Sequence, residues 1–93
     1  MAQLNVPTML RPTVGGERVV VARGGTLREL IGDVEARHPG FSGQLLDSTT
    51  GEQRRFVNLY VNDEDVRYLR GLETPVAESD VVSILPAVAG GLL

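Results

Sequence analysis

Cysteine, lysine and tryptophan are absent from this 93-residue chain, and histidine occurs once, at His38. Without a thiol there is no disulfide framework, no thiolate nucleophile, no thiolate-held iron–sulfur cluster and no Cys/His zinc site. Without lysine there is no Schiff-base amine. A metal site needs several ligands and His38 has no histidine or cysteine companion, so no metal and no bound cofactor are expected. No apolar run approaches the roughly 20 residues of a membrane span. The start, Met1-Ala2-Gln3-Leu4-Asn5, lacks a basic region followed by an apolar stretch. No signal peptide is read there, and the expected location is the cytoplasm.

What remains is an ordinary globular mix, 42% hydrophobic and 23% charged. Its length suits one domain, at roughly 100–200 residues per domain. Nine basic residues, all arginine, stand against 12 acidic ones, a net charge of −3. The arginines are scattered and form no phosphate-tracking stripe, so nucleic acid is not an expected partner.

Glycine and proline divide the chain into elements. From Gln3 to Leu10, Leu4, Val6, Thr8 and Leu10 alternate on one face, the period of a strand, with Pro7 late in it. Pro12 to Gly16 reads as a turn, and Glu17 to Ala22 as a second strand that completes a hairpin. Thr26 and Glu29 fit a capping box, and Leu27, Leu30, Ile31 and Val34 form one helical stripe. Gly32 costs that helix about 1 kcal/mol, which suggests a close approach to a strand. His38-Pro39-Gly40 ends it. Leu45 and Leu46 anchor an aperiodic stretch, and Asp47 to Gly51 is a loop. Phe56 to Asn62 is a strand, Asn62 to Asp65 a turn and Val66 to Tyr68 a short strand. Leu72 to Val76 holds one helical turn. Val81 to Leu85 is the last strand, stopped by Pro86.

This order, two hairpin strands, one helix, then further strands, outlines an α+β fold of the ubiquitin-like β-grasp type. It has a mixed sheet of about five strands covered on one face by one main helix. Residues 1–86 form the domain and residues 87–93 a flexible tail. If Val57, Leu59, Val61, Val82 and Ile84 face the core, then Phe56, Tyr60, Ser83 and Leu85 fall on the open face, a candidate docking patch. Arg54-Arg55 reads as a solvated loop. Asp63-Glu64-Asp65 lacks calcium-loop spacing, and Gly24-Gly25-Thr26 lacks phosphate-loop spacing.

The tail, Ala87-Val88-Ala89-Gly90-Gly91-Leu92-Leu93, carries the most specific signal. A Gly-Gly pair has no side chains and can thread a slot too narrow for a Cβ. Other such pairs, Gly15-Gly16 and Gly24-Gly25, sit at expected turns. This one follows the last strand, a proline and three small apolar residues.

The run Val61-Asn62, Leu72, Ser79-Asp80, Val81 to Leu85, Pro86 and Val88-Ala89-Gly90-Gly91 resembles the closing segment of the ubiquitin-like sulfur carriers, the ThiS/MoaD family of β-grasp proteins. The stretch Phe56 to Arg67 and the tail most resemble carriers that feed a bacterial cysteine synthase of the O-phosphoserine type. The resemblance spans nearly the whole chain and is strongest from Phe56 onward.

It implies a protein co-substrate rather than an enzyme, with no catalytic side chain of its own. An ATP-using enzyme of the ubiquitin-activating type would adenylate Gly91, and a sulfur donor would displace AMP to leave a thiocarboxylate. That sulfur would pass to a biosynthetic acceptor enzyme. Gly90 would give passage through narrow sites, and Ala87, Val88 and Ala89 would form the partner-binding stem. The chain departs from the family in having Ser79 where glycine is usual, and in Leu92-Leu93 after the diglycine. The second departure implies a precursor cut between Gly91 and Leu92 by a zinc-dependent peptidase of the JAMM type. The free protein is expected to be monomeric. The alternatives are an interaction module that is never activated, or a carrier for thiamin or molybdopterin synthesis.

Overall fold

In the computed structural model, which describes residues 1–86, alternating burial decides where each strand lies. Strand β1 (Ala2–Asn5) buries Ala2 and Leu4, and β2 (Val19–Ala22) buries Val20 and Ala22. The two pair antiparallel from Ala2↔Ala22 to Asn5↔Val19, which is the expected hairpin.

The first strand is shorter than its periodicity predicts. Val6 continues the alternation inward, but Pro7 has no N–H to extend a ladder. The chain turns there into a 3-10 segment, Thr8–Val14, that buries Leu10 and Val14 and leaves Thr8 exposed. The turn expected over Pro12 to Gly16 is therefore the end of this segment, closed by Gly15 and Gly16 at φ 70° and 85°.

Helix α1 (Leu27–Arg37) buries Leu27, Leu30, Ile31 and Val34, as the stripe requires. Its cap is half of the expected box. The Thr26 hydroxyl accepts from Glu29 N at 3.3 Å, whereas the Glu29 carboxylate accepts from Gly25 N at 2.7 Å, one residue earlier than expected.

Gly32 is not the close approach that the sequence suggested, since a Cβ there would meet nothing within 4 Å. The tight glycine is Gly24, at φ 153°, where a Cβ would lie 2.7 Å from Glu29 Cβ and 2.8 Å from Leu30 N. The two sites should respond to alanine in opposite directions. Gly32→Ala should stabilise by about 1 kcal/mol by helix propensity. Gly24→Ala should destabilise by about 1–3 kcal/mol through forced backbone strain. Urea unfolding of both variants measures this, and shifts of the same sign would refute it.

A short helix, α2 (Ser42–Leu45), follows α1, with Phe41 and Leu45 fully buried beneath it. Strand β3 (Val57–Val61) buries Val57, Leu59 and Val61. Asn62 and Asp63, at φ 50° and 71°, form a two-residue turn with both residues left-handed, matched to the twist of a hairpin. It leads to β4 (Glu64–Asp65), which pairs with β3.

Val66–Tyr68, expected to be a strand, is a 3-10 turn instead. Asp65 Oδ1 accepts from Arg67 N at 2.8 Å, and this local bond competes successfully with a ladder. A second 3-10 turn, Gly71–Glu73, lies where one helical turn was expected.

Strand β5 (Val81–Pro86) is the centre of the sheet, whose order is β2-β1-β5-β3-β4. It runs parallel to β1 and antiparallel to β3. Pro86 does not stop the strand but ends it as a member, opposite Val57. The Val81 carbonyl bonds towards β3, accepting from Asn62 N at 2.8 Å. Alternation then turns the even positions, Pro86 included, towards β1. Because β1 has already left the sheet after Asn5, the missing N–H of Pro86 costs no ladder bond.

Four carboxylates hold the turns. Asp33 accepts from Arg23 N, Glu35 from Ser42 N and Gly40 N, Asp47 from Thr49 N and Thr50 N, and Asp80 from Ala77 N. In each case these backbone N–H groups are the main reason that the carboxyl titrates below its ordinary value. A depressed folded-state pKa adds stability that is present above the unfolded value and lost as pH falls through the folded one. The urea midpoint is thus expected to be flat from neutral pH down to about 5, then to fall below about pH 4. A midpoint unchanged at pH 3 would contradict this.

Candidate functional site

The end of β5, at Pro86, is the last described part of the chain before the diglycine segment. Ala87, Val88, Ala89, Gly90, Gly91 and Leu92 lie outside the described residues, so the site is built from what surrounds Pro86. β5 is flanked on both sides, by β1 up to Ser83 and by β3 up to Pro86. β5 is therefore a central strand, held by two ladders up to Ser83 and by β3 alone from there to Pro86.

The register of β5 is set at its other end. Asn62 Nδ2 donates to Asp80 Oδ1 at 2.8 Å, while Val81 N donates to Asn62 Oδ1 at 3.0 Å. Asp80 Oδ2 in turn accepts from Ala77 N at 2.8 Å. Asn62 and Asp80, both within the resemblance read from the sequence, thus form a latch that fixes β5 against β3. A one-residue slip would turn every side chain of β5 over. Ser79 is not among the residues with positive φ, so this turn does not demand a glycine there.

Beside the tail root, the segment before β3 is held by Arg67. Its Nη2 donates to the carbonyls of Arg54, Arg55 and Val57 at 3.3, 3.2 and 2.9 Å, and its Nη1 to Asn58 Oδ1. Gln53 Nε2 also donates to the Val57 carbonyl at 2.7 Å. Sequence reading missed both residues. The planar five-donor fork of arginine suits three carbonyls and an amide converging on it, but no local spacing announces that convergence.

Of the four residues expected on the open face, Tyr60, Ser83 and Leu85 lie on it, whereas Phe56, read as the first residue of the strand, falls in the turn before β3. Tyr60 and Ser83 are cross-strand neighbours and half-buried, Leu85 pairs with Asn58 and is 53% exposed, and Phe56 lies just before β3 at 72% exposed. Val19 and Val21 on β2 share this face and are also exposed, which the sequence reading did not include. Alternation assigns the face once Val57, Leu59, Val61, Val82 and Ile84 are all buried against the helix. A groove of about 360 Å³ lies beside the end of β5, lined by Pro7, Val19, Ser83 and Leu85 together with Arg11 and Arg18.

His38 caps the C-terminus of α1. Among the described residues no group of three His, Asp or Glu side chains could hold a metal ion, and no helix is long and apolar enough to cross a membrane.

These features have close counterparts in known proteins. The sequence pattern of the ThiS family matches residues 4–91. The chain is 54% identical over 89 residues to the sulfur carrier protein CysO of Mycobacterium tuberculosis, covering 95% of this chain and 96% of that one. Its fold superposes on the CysO crystal structure from that organism with a TM-score of 0.90 at 50% identity, over 95% of this chain and all of the other. The crystal structure of a BexX/CysO complex from Amycolatopsis orientalis contains a chain with a TM-score of 0.92 and 48% identity, matched over 98% of this chain and all of the other. A small archaeal modifier protein from Methanosarcina acetivorans shares the fold, with a TM-score of 0.84 at 22% identity over 97% and 95% of the two chains. The five-stranded mixed sheet under one main helix is thus a ubiquitin-like β-grasp, and the chain belongs to the ThiS family.

Proposed function

We propose that this chain is a sulfur carrier that works through the backbone carboxylate of Gly91. The carboxylate attacks the α-phosphate of ATP on a ubiquitin-activating-type enzyme, releasing pyrophosphate and leaving an acyl adenylate. A sulfur nucleophile then displaces AMP, and the thiocarboxylate carries its sulfur to the electrophile of an acceptor enzyme. The acceptor makes cysteine or a specialised thio-metabolite such as a thiosugar. Carrier, activating enzyme and acceptor divide the work. The carrier supplies the nucleophile and its placement, so it needs no side-chain catalyst.

The observation that carries this reading is that the family match ends at Gly91, five residues beyond a central strand pinned by two ladders. Leu92-Leu93 lie past that match, and the Gly91–Leu92 peptide bond blocks the carboxylate. We therefore assign that bond to a JAMM-type zinc peptidase acting before activation. Intact mass spectrometry tests both steps. Peptidase should remove Leu92-Leu93, and the activating enzyme with ATP and sulfide should then exchange one oxygen for sulfur at Gly91. A chain that keeps both leucines and never gains sulfur would instead be an interaction module.

The open face is the docking surface in this reading. Leu85→Asp is expected to weaken binding to the activating enzyme about tenfold or more, as loss of a central apolar anchor does. Leu85 is exposed, so its unfolding midpoint should stay near that of the unaltered chain. Unchanged binding, measured by titration calorimetry, would move the docking surface elsewhere.

A further inference from the structure

The charges of this chain are sorted by position, although its net charge of −3 suggests nothing of the kind. Antiparallel and parallel registers place the end of β1, the start of β2, the start of β3 and the end of β5 at one pole, where the tail leaves. That pole holds Arg11 and Arg18 on one flank of β5, and Arg54, Arg55 and the head of Arg67 on the other. The carboxylates nearest them in sequence are Glu17, Glu52 and, for Arg67, Asp65, whose Oδ1 accepts from Arg67 N at 2.8 Å. At the opposite pole, the turn after β3 and the turn before β5 carry Asp63, Glu64, Glu78 and Asp80, four carboxylates beside two positive groups, Arg23 and the N-terminal ammonium.

Ion pairing sharpens the division. Among the described residues the ion pairs are Met1 N with Glu78, Arg28 with Glu73 and Arg37 with Asp33. None involves an arginine of the tail pole. Arg11 and Arg67 instead donate to main-chain carbonyls, which leave their charge uncompensated, and Arg54 does the same with the Asp47 carboxylate within its field. Arg18 and Arg55 are exposed. Arg11 and Arg18 line the groove together with Pro7, Val19 and Leu85.

We infer that these arginines form a collar that reads an acidic rim around the tail-accepting slot of the partner enzyme, with the apolar groove taking a side chain from that rim. The inference rests on the carrier reading, in which the tail must enter such a slot. Uncompensated charge near the reacting end orients the carrier during diffusion, so that the tail arrives first. Carboxylates on a protein suit the site better than the phosphates of a nucleic acid. The collar encloses apolar walls, and the acidic far pole would repel a phosphate backbone.

The test measures association rates of the processed chain with an adenylating enzyme of the ubiquitin-activating type, by stopped flow across a sodium chloride series. The unaltered chain should associate more slowly as salt rises. Arg18→Glu with Arg55→Glu should lower the low-salt rate about tenfold and flatten its salt dependence, whereas Glu64→Arg at the far pole should not lower it. Circular dichroism should find all variants folded, since these side chains are exposed. A rate insensitive to salt, an equal loss from Glu64→Arg, or duplex DNA binding that disappears with Arg18→Glu would each overturn the collar. Mass spectrometry of Gly91 separates this from the carrier reading. Sulfur gain without salt dependence refutes the collar alone, and steep salt dependence without sulfur gain refutes the carrier alone.

Discussion

Replacing Gly90 with valine is expected to slow thiocarboxylate formation at Gly91 about a hundredfold or more. The reason lies in covalent geometry. An activating enzyme must draw the Gly91 carboxylate to within bonding distance of a phosphate, through a slot that accepts backbone without Cβ. Two extra methyl groups on Cβ also restrict the extended chain at the residue next to the reacting one. A displacement of about 1 Å at a reacting centre costs on the order of a hundredfold in rate. The domain should be untouched, because Gly90 lies four residues past Pro86, the last residue of β5. The measurement is the rate of sulfur gain by mass spectrometry, beside a thermal melt. Gly90→Ala should fall between the two. An undiminished rate for valine would show that the slot is wide and that the diglycine serves some other end.

Phe41→Ala should have the largest effect on folding. Phe41 is 0% exposed and is the largest of the fully buried side chains. Truncating a buried phenylalanine costs about 3–5 kcal/mol through lost transfer energy and the cavity left behind. A small domain holds about 5–15 kcal/mol in all, so much of its stability would go. At about 4–8 °C per kcal/mol, the melting temperature should fall by more than about 12 °C. Phe56→Ala is the control. Phe56 is 72% exposed, and its loss should stay within about 0.5 kcal/mol. Equal shifts for the two phenylalanines would contradict the burial assignment.

That contrast shows how far local reading reaches. Phe56 could be read as exposed because it extends the alternation of β3, although the structure places it in the turn just before that strand. Phe41 sits in an aperiodic stretch, and its burial depends on how the chain folds back against α1 after His38. The same distinction separates the two glycines. Gly32 was suspected because it interrupts a helix. Gly24 is the constrained one because its conformation brings it against Glu29 and Leu30. The strand ends follow a similar rule. Pro7 ended β1 sooner than alternation indicated, and Pro86 was tolerated in β5, because a proline costs a ladder bond only where a neighbouring strand would use its N–H.

By itself the amino-acid sequence determined the chemistry that this protein lacks, the helix and its buried stripe, the alternating faces of β3 and β5, and the diglycine tail with its family resemblance. These depend on residue type and short-range period, which act over a few positions. The tertiary structure decided what joins distant segments. The Asn62–Asp80 latch spans 18 residues, and the grip of Arg67 on the Arg54 carbonyl spans 13. The sorting of arginines to the tail pole needs the strand order β2-β1-β5-β3-β4. Hydrogen bonds and fields of that kind depend on distance in space, and only the folded sheet brings those groups together.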